Sequence, residues 1–214
     1  MPLLRAIHRP ITLSVLPHLA YSKPMAALGQ AQRFEVMLHL PMEPREGQVP
    51  ANGLERHTIT ARMSRQDIRR RLDGALASVP HAAGVNNHMG SKATADPSLM
   101  RVILEELNAR GLYFVDSLVT PDSVCRSVAA RVGIRFGERA IFLDNENRAA
   151  YIRGQLLTLV AEARRRGAAI GIGHDRPMTL SVIRQMIPEL ESQGIRLVRV
   201  SDIVKIVTPP HTRN

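Results

Sequence analysis

Tryptophan is absent from this chain, and aromatic residues make up only 3% of it. Any core must therefore be aliphatic, and no aromatic platform for stacking on sugar rings is visible. One cysteine, Cys125, excludes an intrachain disulfide. Its apolar, helical surroundings fit a buried structural thiol rather than a nucleophile. No apolar run approaches the ~18 residues that a membrane-spanning helix needs. The opening MPLLRAIHRPITLSVLPHLA holds only a short apolar stretch, ITLSVLP, broken by Pro17 and followed by His18. That is too short for the apolar region of a secretory signal.

What is present suffices for one sizeable core: 214 residues, 44% of them hydrophobic. A single domain over residues 1–207 is expected, with a flexible polar tail at 208–214 that carries Pro209 and Pro210. The formal charge is +10, carried mostly by arginine. Such charge is compatible with nucleic acid or an anionic membrane surface. However, the arginines are spread over several expected helices and interleaved with acids, and no nucleic-acid motif accompanies Arg69 to Arg71 or Arg164 to Arg166. A solvated basic surface with no nucleic-acid partner is the expectation.

Apolar runs alternate with amphipathic segments along the chain. Strands are expected at 11–17, 34–40, 82–87, 112–116, 139–144, 168–173 and 195–201. Ser22, Ser64, Asp96-Pro97 and Thr179 offer starts for the intervening helices, and Gly111, Gly133, Gly167 and Gly194 offer stops. One helix shows the stripe Ile68, Leu72, Ala75 and Leu76. A Pro- and Gly-containing loop is expected from Pro41 to about Met63. The alternation predicts a parallel sheet with helical crossovers, either open and doubly wound or closed into a barrel. No Gly-rich phosphate loop follows the first strand, which argues against a nucleotide site.

The polar residues collect where strands end: His39; Asn86, Asn87 and His88; Asp116 and Ser117; Asp144 and Asn145; His174 and Asp175; Ser201 and Asp202. Parallel α/β folds build their sites at such ends. Some of these residues could equally be helix caps, Ser201 and Asp202 above all. Neutral imidazoles together with carboxylates from separate strands are the ingredients of an open hydrolytic metal site or an acid–base pair.

The strings HLPMEP (39–44), GVNNHMGS (84–91), VDS (115–117), FLDN (142–145) and IGIGH (170–174) resemble the divergent polysaccharide deacetylase family, from about Ile11 to Val204. That family is a branch of the NodB-like glycoside hydrolase/deacetylase superfamily. The resemblance implies an α/β fold: a distorted (β/α) barrel of about seven parallel strands, with a divalent metal, usually zinc, at the strand ends. It implies hydrolysis of N-acetyl groups on a polysaccharide or N-acetylated glycan. In the wider superfamily the ligands are one Asp of an Asp-Asp pair and two histidines of an H-x-x-x-H motif. Here His39 takes the first histidine position and Glu43 the second, so His88 is the natural substitute ligand and Glu43 another candidate. His174 matches the general-acid position, with Asp144 or Asp175 to orient it and Asp116 as a further catalytic candidate. Asn86, Asn87, Ser91 and Asn145 are candidates for binding substrate hydroxyls or an oxyanion. Family members carry a first strand ending in Asp-Asp, whereas MPLLRAIHRP holds no Asp and no apolar strand. The first family strand is therefore expected to be missing, through truncation or a late start, and activity to be impaired. Family resemblance places such proteins in the periplasm or cell envelope if an upstream signal exists. The competing expectation is a non-catalytic envelope barrel that binds glycan or a protein partner.

Overall fold

The computed structural model describes residues 2–46 and 53–208. The middle of the expected loop before Met63 and nearly all of the expected tail lie outside the described residues. Seven helices and seven strands alternate: α1 (Pro2–Arg5), β1 (Thr12–Val15), α2 (Ser22–Ala31), β2 (Glu35–Met42), α3 (Arg65–Ser78), β3 (Gly84–Met89), α4 (Pro97–Asn108), β4 (Tyr113–Asp116), α5 (Cys125–Val132), β5 (Arg135–Phe142), α6 (Ala149–Arg166), β6 (Ile170–Ile172), α7 (Pro177–Ser192) and β7 (Lys205–Ile206). The strand order is β1-β2-β3-β4-β5-β6, with β7 beside β5. This is the expected α/β fold, with a mostly parallel sheet. Among the described residues the hydrogen-bonded order is a path rather than a closed ring.

The seventh strand departs from expectation. Residues 195–199 belong to no element, Val200–Asp202 is a 3-10 turn, and β7 runs antiparallel to β5. Ile195 and Leu197 still pack against the core between α6 and α7. The alternation that suggested a strand reports side-chain burial without a backbone ladder.

The contacts divide the chain into two compact units, Thr12–Gly137 with Val204–Asn214, and Met1–Ile11 with Glu138–Ile203. In the first unit β1 to β4 pair in parallel over an aliphatic core that includes Leu38, Leu40, Val85, Ile103, Leu104 and Leu107. The helix starts explain themselves locally. Ser64 accepts the Asp67 amide, and Asp96 accepts those of Ser98 and Leu99 ahead of Pro97. In α3 the residues Ile68, Leu72 and Ala75 are buried, as their spacing predicts. Ser22 starts α2 but caps nothing; its hydroxyl donates to the Leu16 carbonyl at 2.5 Å. Cys125 is fully buried.

In the second unit the last part of β5 pairs in parallel with β6. Leu143, Ile152, Leu156, Val160, Val182, Met186 and Leu190 form its core. Gly167 ends α6 at φ +84°, a conformation that favours glycine. Leu4 and Ile7 are buried here, and α1 packs on α7. None of the described helices is long and apolar enough to cross a membrane.

Gly84 fixes how β3 meets β4. Its register partner is Tyr113, whose ring lies across the glycine. A Cβ on Gly84 would fall 2.3 Å from that ring. The Tyr113 hydroxyl donates to buried Glu35 at 2.8 Å, and Thr12 donates to the same oxygen at 2.8 Å. Burial and the Glu35 charge hold the Tyr113 phenol well above its ordinary pKa. Gly84→Ala must displace this ring, so it should lower unfolding stability by about 1–3 kcal/mol in urea denaturation. An unchanged midpoint would show that the ring moves aside without cost.

Candidate functional site

Two groups of polar side chains stand at strand ends, one in each unit. In the first unit the register sets His39 of β2 directly beside Asn86 of β3, and Asn86 beside Val115 of β4. His88 lies two residues beyond Asn86 and so projects from the same face of the sheet. His39 Nδ1 and Asn86 Oδ1 are 3.0 Å apart. Ser14 of β1 also donates to Asn86 Oδ1. Asn86 Nδ2 donates to Ser117 Oγ at 3.1 Å, and Ser117 Oγ donates to the Asn87 carbonyl at 2.9 Å. The Ser117 amide donates to Asn87 Oδ1 at 2.8 Å, and Asn87 Nδ2 to the Met89 carbonyl at 2.7 Å.

These bonds settle where the protons sit. The Ser117 hydroxyl proton goes to the Asn87 carbonyl, so its oxygen accepts from Asn86. The Asn86 amide oxygen therefore faces Ser14 and His39. An amide oxygen only accepts, so His39 carries its proton on Nδ1. His39 Nε2 then presents a lone pair, which accepts from His88 Nδ1 at 3.1 Å. The rings meet edge to face, with centroids 4.8 Å apart.

The other residues expected in this region are committed elsewhere. Glu43 accepts from Lys92 Nζ at 2.6 Å and from the Ala61 amide at 2.8 Å, closing the loop after β2. Partial burial raises the Glu43 pKa, but the Lys92 and Ala61 hydrogen bonds and the charges of Lys92 and Arg62 outweigh it and leave the carboxyl below its ordinary value. Asp116 is buried and accepts the Leu118 amide at 2.8 Å and the Ser123 hydroxyl at 2.5 Å, shaping the turn after β4. Ser91 is buried and accepts the Arg45 amide at 3.0 Å. Asn86 and Asn87 are buried as well, with amides that tie strand ends together. Gly90, at φ +92°, turns the chain after β3, where a Cβ would meet Met42 at 2.9 Å.

In the second unit Asp144 is 0% exposed. His174 Nδ1 lies 3.0 Å from its Oδ1, while the His174 amide and the Thr179 hydroxyl donate to Oδ2 at 3.0 and 2.8 Å. The Arg176 guanidinium donates to the Asp144 carbonyl at 2.9 Å. A buried carboxylate accepts, so His174 carries its proton on Nδ1 and its Nε2 has no partner among the described residues. The His174 side chain is 53% exposed and stands edge-on to Phe142. This is the arrangement of an oriented acid–base histidine. Asp144, not Asp175, orients it; Asp175 and Asn145 are exposed.

Ser14 and Thr179 are the contributors that sequence reasoning missed, whereas Ser117 stands at the strand end where it was expected. Ser14 interrupts an apolar strand, which was its only signal. Thr179 read as a helix cap, but α7 starts earlier, and its hydroxyl serves Asp144 instead. Among the described residues no group of three or more His, Cys, Asp or Glu side chains could hold a metal ion.

Residues 3–204 match the family described as divergent polysaccharide deacetylase. The chain is 36% identical over 205 residues to the uncharacterized protein YibQ of Escherichia coli K12, covering 94% of this chain and 63% of that protein. It is 33% identical to an uncharacterized protein of Haemophilus influenzae, over 95% of this chain and 72% of the relative. The crystal structure of the uncharacterized protein ATU2773 from Agrobacterium tumefaciens C58 superposes with a TM-score of 0.86 at 25% identity, over 94% of this chain and 82% of that one. This chain thus spans less than two thirds of the length of its Escherichia coli relative.

Asn86→Ala removes the acceptor that holds the His39 proton on Nδ1. Long-range nitrogen–proton NMR should show a single Nδ1–H form of His39 in the parent and a tautomer mixture in the variant. Loss of the buried amide should also cost about 1–3 kcal/mol of stability. An unchanged His39 spectrum would show that some other group sets its proton.

Proposed function

The chain belongs to the divergent polysaccharide deacetylase family, and we propose that it acts on N-acetylated carbohydrate, with His39 and His88 as the seat of a divalent metal ion, zinc by the character of its ligands. The observation that carries this reading is the pair of imidazole nitrogens 3.1 Å apart, with the His39 proton turned away from the gap and the His88 Nδ1 proton in the place an ion would take. Two nitrogens bound to one tetrahedral zinc at about 2.0–2.1 Å lie roughly 3.3–3.4 Å from each other, which is close to this spacing. An outer partner that fixes the tautomer, the role of Asn86 here, is what ligand histidines ordinarily have. When bound, such an ion would polarise an amide carbonyl and acidify a water.

The chain's own residues divide the remaining work. Asn86, backed by Ser14 and Ser117, holds His39 with its Nε2 lone pair presented. His88 is carried on the same face of the neighbouring strand. In the second unit, taken by itself, Asp144 and Thr179 hold His174 with its Nε2 placed to give or take a proton. Asp144 stays buried and supports the positive ring formed when that nitrogen is protonated.

The fit to a metal is partial. Two imidazoles are in place, but a catalytic zinc usually has three protein ligands and an open position. Binding by this chain should therefore be weak and hydrolysis slow. That shortfall favours a second reading, a non-catalytic domain that binds glycan or a protein partner.

Calorimetric titration with zinc should show about one ion per chain, with affinity at least tenfold lower in His39→Ala/His88→Ala. Acetate release from N-acetylglucosamine oligomers, if measurable, should fall at least a hundredfold in His174→Ala, the size of a lost general acid. Absence of zinc binding, or equal binding by the double variant, would refute the metal seat. Saturable oligosaccharide binding without zinc and without acetate release would establish the second reading.

A further inference from the structure

A separate cleft of about 460 Å³ in the first unit is lined by His18, His57, Met63, Asp67, Arg70, Arg71 and Gly74. None of these residues takes part in the His39–His88 group. His18 follows β1, His57 closes the 3-10 turn Glu55–His57, and the others lie on α3 or just before it. The two imidazoles stack with centroids 4.0 Å apart and planes 20° from parallel. We propose that this cleft binds the phosphoryl group of a phosphomonoester, gripped by His18, His57 and Arg71.

The charge balance is the first argument. Asp67 is the only acidic residue in the lining, and it is already taken: it accepts from Ser64, at 2.6 Å, and from Arg70. Arg71 has no ion pair among the described residues. The cleft thus holds one uncompensated guanidinium and two rings that can each take a proton. Arg56 stands beside His57 and adds to the positive field. Neighbouring arginines elsewhere are neutralised within the protein: Glu162 pairs with both Arg165 and Arg166.

Backbone geometry is the second. His18 sits at φ +61°, in the left-handed region that costs an ordinary residue about 1–2 kcal/mol. Its amide is held by the Ser78 hydroxyl at 2.6 Å. Gly74 lies under the His18 ring, where a Cβ would make ordinary contact at 3.7 Å. Five non-glycine residues among those described take positive φ; at His18 the conformation sets the ring against a second histidine in a basic cleft.

The chemistry of the rings is the third. Partial burial lowers the pKa of both imidazoles. His57 and Arg71 add to the effect at His18, as do Arg71 and Arg56 at His57. Empty, the pair is therefore biased towards neutrality at physiological pH. A dianion reverses the sign of the local field, raises both pKa values, and binds more tightly as pH falls and the rings take protons. A guanidinium gives planar paired donors, and two imidazoles supply N–H groups from other directions, which suits a tetrahedral oxyanion better than a planar carboxylate. Among the described residues the charges acting on the rings are those of Arg71 and Arg56; Asp67 lines the cleft but is held by Arg70, and Glu55 shares the 3-10 turn of His57.

Sulfate is the probe of choice, because it remains a dianion throughout the pH range in which histidine titrates. Calorimetry should show saturable sulfate binding that tightens about tenfold between roughly pH 7.5 and 5.5. Arg71→Ala and His57→Ala should each weaken it at least about tenfold, whereas Arg101→Ala on α4 should leave it unchanged. Methyl phosphate should compete with sulfate, and acetate should not. Binding that is unaffected by Arg71→Ala, that weakens equally in Arg101→Ala, that lacks the pH dependence, or that acetate matches would overturn the proposal. Chemical-shift changes of the His18 and His57 ring protons on adding sulfate to the parent chain test it without any substitution; their absence at saturation would also overturn it.

Discussion

Everything at the first strand-end site depends on one buried amide. Asn86 occupies the middle of a row that runs Ser14, His39, Asn86, Ser117 across four adjacent strands or their ends. Its oxygen accepts from two side chains and its nitrogen donates to a third. A buried polar group left unmatched would cost about 1–3 kcal/mol, so this network is stable only when complete. Completeness fixes the strand ends against one another, and it also fixes the proton on His39. Register, ring orientation and tautomer are therefore one constraint, set by the pairing of His39 with Asn86.

That constraint explains GVNNHMGS residue by residue. Gly84 leaves room for the Tyr113 ring, and Val85 enters the core. Asn86 serves the histidine side of the strand, while Asn87 ties the strand end to Ser117. His88 meets His39, and Gly90 turns the chain away. The alternation of a strand assigns adjacent amides to opposite faces, so two asparagines in a row can carry separate tasks.

Much of this was legible in the sequence because strand ends and polar residues coincide. The histidines, Asp144 and both asparagines stand at or beside the expected ends. What periodicity could not reveal was where each polar atom spends its hydrogen bonds. Glu43 and Asp116 read as site residues by position, yet their oxygens are used by nearby amides, a lysine and a hydroxyl. Thr179 read as a cap and Ser14 as strand filler, because a hydroxyl's partner depends on residues distant in the chain. The stretch 195–201 misled for a related reason: alternating burial is necessary for a half-buried strand but does not supply a partner for its backbone.

The two histidine arrangements differ in the group that orients each ring, and the difference is chemically meaningful. Asn86 is neutral. It can fix the His39 tautomer without favouring the charged ring, which keeps a lone pair on Nε2, as a ligand must. Asp144 is a carboxylate, buried and supplied with donors from the His174 amide and Thr179. It fixes the His174 tautomer. A neutral partner suits a ring that must hold an ion; an anionic partner suits a ring that must change charge. A carboxylate at position 86 would favour a protonated His39 and close its Nε2 lone pair. The first unit orients its histidine with a neutral amide and the second with a buried carboxylate, so each tautomer is fixed by a different kind of group.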